Sequence, residues 1–156
     1  MQEIVVSTHL PASPDAVWDA AQTTRLLRYV SRPLLHFAPI RPPIWPERWP
    51  EGEHLAGLRL FGVLPIGRQV IGISFPPPEG DKRFIRDNGR SAMIKRWDHT
   101  VTIEPDGEGT RYEDRLALDA GLLTPVVALF ARVFYQHRQA RWRKLTAAGF
   151  RFEDVE

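Results

Sequence analysis

The sequence predicts an α+β domain in which a curved antiparallel sheet is covered by one long C-terminal helix. Strand-like segments that alternate apolar and polar residues follow one another through the middle of the chain without helices between them, which is typical of an antiparallel meander. Residues 124–148 then contain no glycine and a single proline, at the second position, which predicts one long helix. The 156 residues suit a single domain, 1–156, with one core.

A strand and two short helices are predicted at the start of the chain. Residues Ile4–Leu10 alternate in polarity, as a half-buried strand does. Ser13 is a good N-cap, and Pro14 suits the first position of the helix that follows. We expect a second short helix near Thr23–Tyr29. At the far end of the sequence, Thr124 is expected to cap the long helix.

A proline-rich segment, residues 33–50, comes next. Six of its eighteen residues are proline, which argues against a helix and against a central strand. It also contains Phe37, Trp45 and Trp49, whereas a disordered linker would lack such apolar bulk. We therefore expect an ordered loop on the body of the domain, either pinned there by these aromatic residues or lying over the mouth of a cavity.

The meander of strands fills most of the remaining sequence. Strands are predicted at residues 53–62, 67–75, 91–103 and 110–119. The pair Asn88-Gly89 favours a hairpin turn before the third of these strands. A turn over Pro105–Glu108 is expected to separate the last two.

The last two strands each carry a polar residue on a face that is otherwise apolar. These faces consist of Trp97, His99, Val101 and Ile103 on one strand, and of Tyr112, Asp114, Leu116 and Leu118 on the other. If Glu104 pairs with Gly109, His99 lies opposite Asp114. A buried carboxylate is tolerated when it has a partner, so we expect these two side chains to meet. A register slip of one residue would turn a whole face outward, but a slip of two keeps both faces.

The sequence leaves three interpretations of the His99 and Asp114 pair open. It is a structural ion pair that fixes the hairpin, a polar anchor that orients a ligand, or an acid/base dyad. In the dyad, Asp114 would hold the imidazole tautomer while His99 moves a proton.

Four features along the chain together resemble the SRPBCC superfamily, which has the helix-grip fold of START domains and pollen allergens. They are the opening LPASPDAVWDAA, the central LFGVLPIG, the later WDHTVTIEPDGEGTRYEDRLAL and the closing helix. The similarity is greatest to bacterial polyketide cyclase/dehydrase and lipid-transport-like members. It implies a seven-stranded antiparallel sheet that grips the C-terminal helix around an apolar cavity. Members range from lipid carriers to cyclases, so the fold alone does not decide the function.

The resemblance leads to a set of candidate ligand-binding residues. We expect the cavity to be lined by Trp97, His99, Val101, Tyr112, Asp114, Leu116, Phe130 and Phe134. His137 and Arg141 lie one helical turn apart and either place a cation at one end of the cavity, for a carboxylate or phosphate head group, or lie in water.

Three functions follow as hypotheses. The first is binding of a small-to-medium hydrophobic ligand, lipid- or polyketide-like. The second is a cyclase or dehydratase with His99 and Asp114 as its catalytic residues, and the third is an interaction module with a vestigial pocket. No cofactor is expected for any of them.

Several other classes of site are not favoured by the composition. There is no cysteine, the five histidines show no metal-ligand spacing, and we expect no metal site. His54, beside two glutamates, is expected in solvent. The basic segment HRQARWRK suits a helix C-terminus, and with a net charge of +2 we expect no nucleic-acid partner. No apolar run reaches 18 residues, so we expect no stable membrane insertion and a cytoplasmic location.

Overall fold

The computed structural model describes residues 1–155 and contains seven strands, three helices and two short 3-10 turns. The strands are β1 (Gln2–Leu10), β2 (Leu35–Arg41), β3 (Gly52–Leu60), β4 (Leu64–Ser74), β5 (Arg83–Ser91), β6 (Arg96–Asp106) and β7 (Gly109–Asp119). The helices are α1 (Pro14–Ala21), α2 (Thr24–Ser31) and α3 (Thr124–Ala147), and the 3-10 turns are Gly121–Leu123 and Phe152–Asp154.

All seven strands form one antiparallel sheet in the order β1-β7-β6-β5-β4-β3-β2. Strands β2 to β7 are a continuous meander, and β1 closes the far edge beside β7. Helices α1 and α2 connect β1 at one edge with β2 at the other, and α3 packs across the inner face. The predicted α+β class, the curved seven-stranded sheet and the long terminal helix are confirmed.

Both short helices are capped by side-chain hydroxyls, the first of them by Ser13 as predicted. The Ser13 hydroxyl accepts a hydrogen bond from the Ala16 amide at 3.2 Å, with Pro14 as the first helical residue. The Thr23 hydroxyl accepts one from the Leu26 amide at 3.2 Å. Each cap satisfies one amide that the first helical turn leaves unpaired.

Helix α3 begins differently from the prediction, because Thr124 lies inside its first turn. The Thr124 hydroxyl accepts a hydrogen bond from the Ala120 amide at 2.9 Å and donates one to the Gly121 carbonyl at 2.7 Å. Thr124 therefore ties the helix to the 3-10 turn before it and does not cap the helix.

The hairpin predicted at Asn88-Gly89 is wrong, since both residues lie within β5 and pair with Asp98 and Trp97 of β6. A Cβ atom added to Gly89 would lie 2.6 Å from the Val70 carbonyl oxygen of β4. The glycine is therefore explained by the close approach of a neighbouring strand.

The proline-rich segment is only partly the predicted loop, because its first half forms β2. This strand lies at the edge of the sheet, where proline is tolerated, and its pairing with β3 is irregular between Pro39 and Arg41. The remainder packs through Trp49, which is buried and lies 5.7 Å from the Trp45 ring, measured between ring centroids. His54, expected in solvent, is also buried and contacts Trp49 edge-on.

The register of β6 with β7 differs from the prediction by two residues. Asp106 pairs with Gly109, and His99 lies opposite Leu116. Gly107, with a φ of 60°, allows a tight two-residue turn in place of the four-residue loop. Because the slip is two residues, both predicted inner faces are retained.

Candidate functional site

A cavity of about 290 Å³ separates the first half of α3 from the sheet. Most of its lining is apolar. The apolar lining residues are Leu27, Leu35, Phe37, Leu58, Ile66, Ile71, Met93, Ile94, Trp97, Val126, Val127, Phe130 and Phe134. The cavity lies between sheet and helix because the sheet is curved, and a single helix does not fill the space on its concave side.

The mouth of the cavity is formed mainly by exposed apolar side chains, with the exposed Arg68 beside them. Ile66 of β4, Met93 of the β5–β6 turn and Val126 of α3 line the cavity and are also exposed to solvent. Apolar side chains therefore extend from the surface of the protein into the cavity.

The inner end of the cavity is polar. Asp87, His99 and Arg138 line it, and the same three residues also line a smaller adjoining cavity of about 60 Å³ under α2. The three side chains come from β5, β6 and α3. Asp87 and His99 are directly opposed in the β5–β6 ladder, which places both on the inner face.

His99 is held by a buried chain of hydrogen bonds. Its Nε2 lies 2.7 Å from Oδ1 of Asp114, and Oδ2 of Asp114 accepts a hydrogen bond from the Gln139 amide at 2.9 Å. The same Gln139 nitrogen donates to the Val6 carbonyl at 2.7 Å. The diagonal placement of His99 and Asp114 across β6 and β7 is within reach of these side chains. Asp114 thus holds His99 from the side away from the cavity, and both of its carboxylate oxygens have hydrogen-bond partners.

The pKa of the Asp114 carboxyl is lower than its ordinary value. Burial alone raises this pKa, but the hydrogen bond with His99 and the positive charge of Arg138 outweigh it. Asp114 is therefore an ionised carboxylate inside the protein.

The pKa of the Asp87 carboxyl is shifted in the opposite direction, above its ordinary value. Burial raises its pKa to about 6, although the charges of His99 and Arg138 and a hydrogen bond from the Gly72 amide, at 2.8 Å, lower it. A carboxyl group with this pKa changes its protonation near neutral pH, in contact with the cavity.

Arg138 supplies a buried positive charge. Its side chain is 7% exposed, and its Nε has no hydrogen-bond partner among residues 1–155. The guanidinium carbon lies 5.3 Å from the ring centroid of Tyr135 and 5.7 Å from that of Phe134. Burial lowers the pKa of Arg138, but Asp114 and the hydroxyl of Tyr112 raise it overall.

The structure distributes the predicted site residues among three places. Trp97, His99, Phe130 and Phe134 line the large cavity. His99, Val101 and Tyr112 line the small one. Asp114 and Leu116 are buried behind the lining, where Asp114 holds His99.

His137 and Arg141, for which the sequence left open a place at one end of the cavity or in water, do not line either cavity. The Nε2 of His137 lies 2.6 Å from the Arg32 carbonyl oxygen. The Nε of Arg141 donates to the Tyr29 carbonyl at 2.8 Å, with the guanidinium over the Tyr29 ring. Both side chains are therefore used to attach α3 to α2 and the segment after it.

Arg138 and Asp87 line the cavity but were not among the residues predicted for the site. Arg138 lies four residues after Phe134, so helical spacing would have placed it on the cavity face. Asp87 directly precedes Asn88-Gly89, for which a hairpin turn was predicted, and was not considered for the site. Within residues 1–155 there is no group of three metal-ligating side chains, and no helix in that range is long and apolar enough to span a bilayer.

A sheet that grips a terminal helix and leaves a cavity between them defines the SRPBCC class of fold, to which START domains belong. The chain belongs to the family described as domain of unknown function DUF8410, whose model matches residues 8–146. No curated protein matches the sequence.

Solved structures with the same fold have little sequence in common with this chain. Protein CV1439 from Chromobacterium violaceum aligns with a TM-score of 0.66 at 14% identity, over 92% of this chain and 96% of that one. A START superfamily protein from Mycobacterium smegmatis gives 0.64 at 12%, over 94% and 97%. Ara h 8.0201 gives 0.64 at 8%, over 94% and 98%. At these identities the likeness shows the fold.

Proposed function

We propose that this protein binds a small apolar molecule in the cavity between the sheet and α3. The observation that supports the proposal is the cavity itself, about 290 Å³ of space whose wall and mouth are mainly apolar. Protein interiors are normally close-packed, so a mainly apolar space of this size that reaches the interior is typical of a ligand site.

The cavity volume limits the size of the ligand. A dry cavity of about 150 Å³ holds one benzene ring, and drug-sized ligands occupy pockets of roughly 300–1,000 Å³. A molecule of about two fused rings, or a flexible chain of similar volume, suits this space.

A matched pair of valines on α3 tests the proposal. Val127 lines the cavity, whereas Val133 is half exposed outside it. Val127→Phe fills the cavity and should weaken binding of a neutral two-ring probe, 2-naphthamide, by at least about tenfold. Val133→Phe makes the same change outside the cavity and should leave binding as it is.

Isothermal titration calorimetry of the unaltered protein and both variants gives the dissociation constants. No binding of 2-naphthamide to the unaltered protein, or equal binding to all three proteins, contradicts the proposed site.

A second candidate function is acid/base catalysis of the cyclase or dehydratase type. The observation that favours it is the 2.7 Å contact between His99 and Asp114, with His99 facing the cavity and Asp87 beside it. In this function His99 moves a proton on a polyketide-like substrate, and Asp114 holds the imidazole tautomer of His99.

His99→Gln should then abolish turnover of a poly-β-ketone substrate while 2-naphthamide still binds. Turnover that survives this substitution excludes the dyad and leaves the pair as a structural contact or ligand anchor.

A further inference from the structure

Arg138 carries a buried charge that the rest of the protein leaves incompletely paired. Its Nε has no partner, and among residues 1–155 no carboxylate oxygen lies within 4.0 Å of its guanidinium nitrogens. The Tyr112 hydroxyl and the ring faces of Phe134 and Tyr135 are its neighbours. A buried cation without a direct counter-ion is costly, and the side chain lines both cavities.

The two nearby carboxylates have other partners. Both oxygens of Asp114 are occupied, by His99 and Gln139, and Asp114 does not line the cavities. Oδ1 of Asp87 accepts the Gly72 amide. Neither carboxylate forms an ion pair with the guanidinium, so a counter-ion in direct contact with Arg138 would have to come from outside the protein.

The geometry points to an apolar acid as the ligand, with its rings or chain in the large cavity and one carboxylate on the guanidinium of Arg138. This inference rests on the proposed binding function and specifies the class of ligand. A guanidinium presents two N–H groups that match the two oxygens of a carboxylate, and such charge-assisted hydrogen bonds are strong in a site shielded from water. The apolar part of the ligand would then lie against Trp97 and Phe130.

Binding of an acid at Arg138 has a consequence for Asp87, which faces the same space. A ligand carboxylate repels the Asp87 carboxylate and favours its protonated form. The other groups that act on Asp87 are His99 and Asp98 of β6, the Gly72 amide of β4, and Arg138 itself. Above pH 6 the acid should therefore bind together with a proton, and bind more tightly as the pH falls toward 6.

Three probes with one ring system test this inference on the unaltered protein. They are 2-naphthoate, 2-naphthamide and 2-naphthylmethylammonium, which share the ring system and carry a negative, a neutral and a positive substituent respectively. At pH 6 the acid should bind about tenfold more tightly than the amide, and the ammonium more weakly than both. An amide that binds as tightly as the acid overturns the inference and leaves the proposed function intact. If none of the three probes binds, the proposed function fails as well.

A matched pair of arginines on α3 identifies the group responsible. Arg138→Met should lose about tenfold in affinity for 2-naphthoate and less than about twofold for 2-naphthamide. Arg132→Met, at an exposed position on the same helix, should change neither. Equal losses for acid and amide in Arg138→Met mean that the side chain only shapes the cavity, which contradicts the inference. If Arg138→Met does not fold, Arg68→Met replaces it, because Arg68 is the other arginine that lines the large cavity. A preference for the acid that survives Arg68→Met supports Arg138 as the partner, and a preference that disappears contradicts the inference.

Discussion

The two halves of α3 are packed in different ways. In the C-terminal half, Trp142 and Leu145 are fully buried in a cluster with α1, α2 and the inner face of the sheet, and the Trp142 ring lies 5.2 Å from that of Tyr112. In the N-terminal half, Val127 and Phe130 face a cavity, and Val126 and Leu129 are 69% and 67% exposed. The solid half anchors the helix, and this allows the other half to border an open space. Arg138 lies at the boundary between the two.

The largest expected effect is a difference between the two halves of α3 in how much a truncated side chain lowers the free energy of unfolding. Trp142→Ala should cost about 3–5 kcal/mol in the free energy of unfolding, because it opens a hole in a filled core. Phe130→Ala should cost about 1–2 kcal/mol, since one side of this ring already has no packing partner. Urea denaturation measures both values. Equal losses would show that the two halves are packed alike.

A second prediction compares a buried histidine–aspartate contact with an exposed one. His99 and Asp114 are 2.7 Å apart and buried, whereas His9 and Asp106 are 2.9 Å apart and about half exposed. Asp114→Ala should destabilise the protein by about 3–5 kcal/mol, because His99 and Gln139 lose their buried partner. Asp106→Ala should cost less than about 1 kcal/mol. A loss below 1 kcal/mol for Asp114→Ala would mean that the buried chain does not hold the site.

A third prediction concerns the pH dependence of the polar end. The pKa of Asp87 in the folded protein is about 6, above the ordinary value of 3.8, so the folded state binds the proton more tightly than the unfolded state. The contribution of Asp87 to stability is therefore largest below pH 4 and is lost as the pH rises through 6. Asp114, with its lowered pKa, contributes in the opposite sense, and its stabilisation is lost as the pH falls through its folded pKa.

Asp87→Asn should remove the part of this dependence that belongs to Asp87. Above pH 7 the variant should be more stable than the unaltered protein, by on the order of 2 kcal/mol, and the difference should vanish near pH 4. Thermal unfolding of both proteins between pH 4 and pH 8 gives the comparison. A difference that stays constant with pH would mean that Asp87 titrates normally.

The smallest effect is expected on the exposed face of the open half. Leu129→Gln should change the free energy of unfolding by less than about 0.5 kcal/mol, because the side chain has little packing to lose. A larger loss would show that Leu129 is covered in solution.

The sequence predicted which residues lie on the inner face of the sheet better than it predicted how neighbouring strands are paired. Alternation with a period of two placed His99 and Asp114 on the inner face, and the structure has them in contact. The same period allows a slip of two residues, and the tight turn at Gly107 decided that slip. Local turn chemistry also misplaced Asn88-Gly89, since a glycine required by a neighbouring strand looks the same in sequence as a glycine required by a turn.

The sequence also did not identify Arg138 as the arginine that lines the cavity. The second half of α3 carries arginines on several faces, so the periodicity of apolar residues did not single out one of them. Arg141 contacts Tyr29 of α2, a contact between segments far apart in the chain. The position of Arg138 depends on how α3 is rotated against the sheet, and this is set by tertiary packing.

Methyl NMR with 2-naphthoate as the ligand tests the central claim most directly, because both halves of α3 carry methyl groups that report on binding. We predict shift changes for the methyl groups at the cavity, Leu35, Ile66, Ile71, Val126 and Val127, and none for Val17, Val30 and Leu145 in the filled cluster. Shift changes confined to the filled cluster, or no changes at saturating ligand, would contradict the account.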